Sequence, residues 1–248
     1  MTHLFVDPAD MTGDTLIITG ADYNHIKNVL RMRPGDELSV SNGTDSREYR
    51  YGIEEIREDG IVCRLRFIKE ADVELPVRMT LFQGLPKGEK MEWIVQKCTE
   101  LGVFSIVPVE MSRCVMKLDE GRKKKKTARW QSIAEAAAQQ SRRGIVPVVH
   151  EPVSMAEAAE MAKSMDVRLL PYERAENGRG TREIFESIRP GSTVAVFIGP
   201  EGGFAPEEVT LAQERAGVQP ITLGRRILRT ETAGMTVLSW LIYTQEIQ

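Results

Sequence analysis

Cysteine is scarce in this chain. Three occur in 248 residues, at Cys63, Cys98 and Cys114. An odd number at wide spacing supports neither a disulfide framework nor a zinc site. A reducing cytoplasm is the expected compartment. His3, His25 and His150 are the only histidines and show no metal-ligand spacing, so no metal is expected. The longest apolar stretches are of strand length, which excludes a membrane-spanning helix. Met1 to Asp7 lacks the basic flank and apolar core of a signal peptide. Nucleotide-binding and nucleophile motifs are missing too. There is no G-x-x-x-x-G-K-[ST], no G-x-G-x-x-G opening a βαβ unit and no G-x-S-x-G elbow.

A strong charge of either sign is also lacking. Thirty-three Lys and Arg against 36 Asp and Glu give a formal net charge of −3. A nonspecific nucleic-acid coat protein is usually basic throughout. Here the positive charge is clustered instead. Arg122 to Lys126 is unbroken, with Arg129 beyond it, and Arg142-Arg143, Arg225-Arg226-Arg229 and the alternating Arg64 and Arg66 form smaller groups. Such clusters fit recognition of a particular RNA site, and they fit a solvated face equally well.

The 42% apolar content is enough for a real core, and the length accommodates two modest domains. The first seventy residues read as mostly β. Glu37–Val40 leads into the hairpin turn Asn42-Gly43, Tyr49–Ile56 follows, and Asp59-Gly60 turns into Ile61–Ile68. In that last strand Ile61, Cys63, Leu65 and Phe67 are expected on one face, with Arg64 and Arg66 opposite. A short helix capped by Asp22 is expected to bury Ile26, Val29 and Leu30. A small barrel fits this pattern. After a linker at Glu70–Pro76 the rhythm changes. Strands are expected at Met79–Gln83, Ser105–Val109, Ile145–Val149, Val167–Leu170, Thr193–Ile198 and Pro220–Leu223. Helices are expected at Glu89–Leu101, Thr127–Ser141, Met155–Ser164, Arg182–Ile188, Pro206–Ala216 and Glu231–Gln245. Alternating β and α units predict a mostly parallel sheet covered by helices.

Two blocks stand out in this second half. G-P-E-G-G-F, Gly199 to Phe204, follows the apolar run Thr193–Ile198. L-G-R-R-I-L-R-T-E-T-A, Leu223 to Ala233, follows a shorter run ending at Thr222. Both place glycine where the chain leaves the sheet, which lets backbone groups approach a ligand closely. Open α/β sheets bind ligands beyond the carboxyl ends of their strands, so one shared pocket is expected. Leu223-Gly224 and Ile227-Leu228 are apolar enough to enclose a purine. Arg226 and Arg229 suit a phosphate, and Thr230 is placed to cap the last helix. Ala205 stands where a capping side chain is usual, so the helix after it must lean on other contacts.

Together these blocks resemble the cofactor loops of the SPOUT methyltransferases, and most closely the family that methylates N3 of a uridine in small-subunit ribosomal RNA. Further matches run through the chain in order: Tyr23–Arg31, Gln83–Lys90, Lys97–Gly102, and Glu135 with Gln139–Arg143. The resemblance implies a PUA-like β-barrel over residues 1–72. It implies an α/β SPOUT methyltransferase domain, with a parallel sheet and a trefoil knot, over residues 73–248. It implies S-adenosyl-L-methionine as cofactor, 16S ribosomal RNA of the small ribosomal subunit as partner, and a homodimer. The cofactor residues it implies are Leu170, Ile198, Gly199, Pro200, Glu201, Gly202, Gly203, Leu223, Gly224, Ile227, Leu228, Thr232 and Ala233. RNA contacts are expected at His25, Arg31, Arg64, Arg66, Lys87, Lys90, Lys123, Lys124, Arg142 and Arg143.

For the chemistry, Arg229 is the first candidate to stabilise negative charge on the uridine N3, with Arg142 and Arg143 behind it. Glu231 or Glu201 is a candidate proton acceptor, and the sequence does not choose between them. Two alternatives stay open at this point. One is a SPOUT enzyme acting on another ribosomal or transfer RNA position. The other is a noncatalytic RNA-binding assembly factor on the same fold.

Overall fold

The computed structural model describes residues 3–70, 73–173, 175 and 178–247. The chain divides into two units. The first is Met1–Glu74 joined by Ala138–Val146, and the second is Leu75–Ala137 with Pro147–Gln248.

The first unit is a six-stranded sheet in the order β1 (His3–Phe5), β4 (Glu37–Ser41), β5 (Arg47–Ile56), β6 (Ile61–Glu70), β3 (Thr15–Ile18), β2 (Met11–Thr12). β1 runs parallel to β4, and the remaining pairs are antiparallel. Its strands bury one apolar cluster that includes Leu4, Leu16, Leu38, Tyr51, Ile53 and Ile61. The expected face of β6 holds only as far as Leu65. Tyr51 pairs with Leu65 and Arg50 with Phe67, so Arg66 has no opposite residue. This one-residue bulge reverses the alternation. Phe67 is therefore 52% exposed instead of sharing the buried face of Ile61 and Cys63. The Arg66 guanidinium lies over Gly52, where an added Cβ would sit 2.5 Å from its Nε.

The short helix also departs from expectation. α1 (Gly20–Asn24) continues into a wider π turn over His25–Val29, and Asp22 lies in the first turn instead of capping it. The wider turn breaks the apolar stripe. Ile26 is buried, but Val29 and Leu30 face solvent. The returning segment is tied to the sheet unit by an ion pair. Arg143 is 2% exposed, and its Nη2 lies 2.6 Å from the Glu74 carboxylate, which also accepts the N–H groups of Gly144 and Ile145.

The second unit is a seven-stranded parallel sheet ordered β10 (Val153–Ser154), β8 (Ser105–Glu110), β7 (Arg78–Gly84), β12 (Thr193–Ile198), β11 (Val167–Pro171), β13 (Gln219–Ile221), with β9 (Val148–Val149) also on β8. Every pairing is parallel. The central strands read as continuous apolar runs because both faces are buried, as in other parallel sheets. The helices are α2 (Lys90–Glu100), α3 (Glu120–Gln140), α4 (Met155–Ala162), α5 (Gly178–Ser187), α6 (Pro206–Ala216) and α7 (Thr230–Ile242), which runs on into a π turn over Tyr243–Ile247. α3 starts seven residues earlier than the expected Thr127, so the basic run forms its first turns. Of the expected strand at Ile145–Val149, Val148–Val149 forms a strand and Ile145 makes an isolated bridge to Gly43. Ala205 leaves α6 without a capping side chain, and Glu208 substitutes for it. One Glu208 oxygen accepts the Ala205 N–H at 2.9 Å and the other accepts the Ser112 N–H at 2.7 Å.

Candidate cofactor-binding site

Because the sheet is parallel, the loops after β11, β12 and β13 open on one end of it. Between them lies a cavity of about 520 Å³. That is within the size range of small-molecule sites. The expected residues Ile198, Gly199, Pro200, Glu201, Gly202, Gly203, Leu223, Gly224, Ile227, Leu228 and Ala233 all line it, as does Arg229. Two expected cofactor residues lie elsewhere. Leu170 is fully buried within β11, where its side chain packs in the core. Thr232 falls in the first turn of α7, where its N–H bonds the Arg229 carbonyl.

The glycines explain the shape. A Cβ on Gly199 would come within 3.1–3.2 Å of the Gly203 and Phe204 backbone, so any side chain there would push the folded-back loop outward. Gly203 and Gly224 have φ of +66° and +104°, a region that disfavours other residues. Arg113 also lines the cavity and holds the loop, its Nη1 donating to the Gly202 carbonyl at 2.8 Å.

Sequence reading missed the segment behind the loops. Lys90, expected at RNA, lines the cavity. Its Nζ lies 2.8 Å from Glu201 and 3.5 Å from Glu231. The hydrogen bond to Glu201 raises the Lys90 pKa above its usual value despite partial burial. Burial opposes ionisation of Glu201, but Lys90 and the N–H groups of Glu201 and Lys87 outweigh it and hold that carboxylate below its ordinary range. Lys87 contributes its backbone N–H, 3.1 Å from Glu201. Gly84 closes the back. A Cβ there would sit 2.7 Å from Pro200 Cδ and 2.9 Å from Met111 Sδ. Tyr172, Glu173 and Thr222 also line the cavity. Of this set, only a glycine ending an apolar strand gave any local signal. The contacts of Lys90 and Arg113 span about a hundred residues and leave no periodic trace.

Arg229 precedes α7 and its side chain is 82% exposed, with Nη1 3.9 Å from Glu231. Thr230 does not cap the helix as expected. It is the first helical residue, and its hydroxyl turns inward. Glu231 is largely covered and stands against Lys90 instead of lining the cavity.

The remaining expected cations fall into two groups. Arg64 is paired with Glu54, Lys123 with Glu110 and Glu120, and Arg143 with Glu74 at a buried site. For Arg143 this corrects the expectation of an RNA contact, because an arginine that is 2% exposed presents nothing to solvent. His25, Arg31, Arg66, Lys87, Lys124 and Arg142 are exposed.

Residues 73–242 match the model of an RNA methyltransferase domain, and residues 18–66 match an RNA methyltransferase PUA domain. Ribosomal RNA small subunit methyltransferase E of Bacillus subtilis is 37% identical over 236 residues, covering 94% of this chain and 91% of that one. The chain belongs to the ribosomal RNA small subunit methyltransferase E family. A crystal structure of that enzyme from Neisseria gonorrhoeae bound to S-adenosyl methionine is 31% identical. It superposes with a TM-score of 0.82 over 98% of this chain and 97% of that one. A methyltransferase from Legionella pneumophila, in complex with the cofactor SAM, gives 32% identity and a TM-score of 0.81 over 98% and 97%. Family membership thus agrees with both units, a PUA-like first unit and a parallel α/β second unit.

Proposed function

We propose that this chain is an S-adenosylmethionine-dependent methyltransferase acting on N3 of a uridine in 16S ribosomal RNA. The observation that carries the reading is the meeting of two glycine-shaped loops on one cavity, in a chain of this family. The cavity suits the group. Ile198, Leu223, Leu228 and Ala233 offer apolar walls to a base, and the glycines leave backbone groups within reach. Bound there, the cofactor supplies an electrophilic methyl group.

The chain's own residues then position the base and manage one proton. Neutral uridine carries hydrogen on N3, and that proton must leave as the N–CH3 bond forms. Arg229, which lines the cavity with its side chain 82% exposed and only a long 3.9 Å contact to Glu231, stabilises negative charge at N3. Glu201 is held by Lys90 and the Lys87 N–H, which makes it a poor base. Glu231, whose Oε2 faces the same Lys90 at the longer distance of 3.5 Å, is the second candidate acceptor.

RNA is held, in this reading, by the PUA-like unit of residues 1–72 and by basic segments of the 73–248 domain. Arg31, Arg66 and Arg142 of the first unit and Lys124 of α3 have no acidic partner among the described residues. We further propose a cytoplasmic homodimer that uses α7 and the π turn after it, which exposes Tyr243 and Ile247. A trefoil knot belongs to the same proposal. After β13 at the sheet edge the chain returns to the sheet centre, where Thr230 meets both Gly199 and Gln83.

The test is a map of methylated nucleotides in RNA from cells with and without the protein. Loss of a single N3-methyluridine from 16S ribosomal RNA is expected. Loss of a transfer RNA mark instead would move the chain to another substrate. An unchanged map, with no cofactor uptake by the purified chain, would leave an assembly factor.

A further inference from the structure

Gln83 is a fully buried amide near the end of β7, a strand whose other buried residues are mostly apolar. Its Nε2 donates to the Thr230 hydroxyl at 2.8 Å and to the Gly84 carbonyl at 3.0 Å. The Thr230 hydroxyl donates in turn to the Gly199 carbonyl at 2.6 Å. One side-chain oxygen thus joins the end of β7, the first residue of the loop after β12 and the first turn of α7. Gly199 and Thr230 line the cavity, and Gln83 stands behind them. The arrangement is not the cheapest way to fill this space. Gln83 Oε1 is left buried with no partner, and such an atom is costly in a core. An apolar side chain at 83 and valine at 230 would fill a similar volume without that cost.

A single donor chain has one geometry, whereas apolar contacts tolerate sliding. The relay fixes the orientation of the peptide after Gly199, the point where the Gly199–Phe204 loop leaves β12. It fixes the start of α7, and so the end of the Leu223–Arg229 loop, against that peptide. We propose that Gln83 and Thr230 are positioning residues for cofactor binding, holding the two cavity loops in register through the Gly199 carbonyl. This rests on the cofactor reading above.

Calorimetric titration with S-adenosylmethionine, well below the thermal transition, tests it on the full-length protein. Thr230→Val should weaken binding by roughly tenfold or more, and Thr230→Ser, which keeps the hydroxyl, should stay within about threefold of wild type. Gln83→Met should act in the same direction, and it carries the test if Thr230→Val does not fold. Because both residues act through one carbonyl, the double variant should lose clearly less than the product of the two single losses. A purely structural role would lower the melting temperature of each variant and leave the affinity of the folded protein unchanged. Binding by folded Thr230→Val or Gln83→Met within about twofold of wild type overturns the relay, and so do multiplicative losses. Wild-type protein that takes no S-adenosylmethionine would instead overturn the cofactor reading itself.

Discussion

A left-handed backbone is nearly free for glycine and costs other residues. Among the described residues only Arg31 and Arg142 adopt it without being glycine, with φ of +53° and +59°. Each closes a helical segment. Arg142 follows α3, with its N–H on the Gln139 carbonyl and the Arg143 N–H on Ala138, the position where glycine is usual. Both side chains are exposed, both belong to the first unit, and both are proposed RNA contacts. Arg142→Gly should therefore raise stability by about 0.5–1 kcal/mol, seen as a higher melting temperature, and weaken RNA binding at the same time. A glycine variant that gains stability and binds RNA as tightly as wild type removes Arg142 from the interface. Arg229 has a different expected signature. Its side chain is 82% exposed and its one ion pair, to Glu231, is long at 3.9 Å, so Arg229→Ala should keep cofactor affinity and fold. Single-turnover methylation should slow about a hundredfold, as for loss of one preorganised donor. If saturating RNA restores the wild-type rate, Arg229 is a binding clamp and takes no part in the chemical step.

At the scale of elements, local signals located what local forces decide. Thr193–Ile198 and Pro206–Ala216 begin and end where the apolar run, the proline and the glycine place them. The cavity loops were legible for the same reason, since glycine at a strand end is a local mark. What escaped was set by single non-local events. The bulge at Arg66 turns Phe67 outward, and alternation alone does not show where a residue will be skipped. The Glu74 carboxylate that buries Arg143 lies 69 residues away. The basic run is a third case. Its composition suggests a uniform patch, but α3 sorts it. Arg122 is paired with Asp119, and Lys123 is shared between Glu110 and Glu120. Replacing Lys124, Lys125 and Lys126 with glutamine should therefore weaken RNA binding and flatten its salt dependence by up to about three counterions. Lys123→Gln should have the smaller effect on the salt slope, because its charge is already matched. Equal slopes for the two substitutions would show that the helix does not sort its charges in solution.

At the scale of the molecule, the candidate site exists only once distant parts of the second unit have closed on one another. The Glu201 carboxylate is one of the fasteners, joining the loop after β12 to Lys90 and to the Lys87 N–H. Those bonds hold its pKa below the ordinary 4.5, although burial works against them. For a carboxyl group whose pKa is lower folded than unfolded, the unfolded chain binds the proton more readily. The stabilisation is then complete above pH 4.5 and drains away as pH falls through the lower folded value. Other carboxylates are shifted the same way, Glu92 by Arg129 and Asp166 by Thr193 among them, so acid unfolding of the wild type alone reports a sum. Glu201→Gln separates one share of it. The glutamine cannot ionise, so the variant should be less stable than wild type at neutral pH and take up S-adenosylmethionine more weakly. The stability gap between the two proteins should stay constant down to the ordinary carboxylate range, then narrow as wild-type Glu201 takes up its proton. Denaturant melts at a series of pH values measure that gap directly. A gap that keeps its size into strong acid would mean that Glu201 acts through packing and not through its charge, and the loop would then need another fastener.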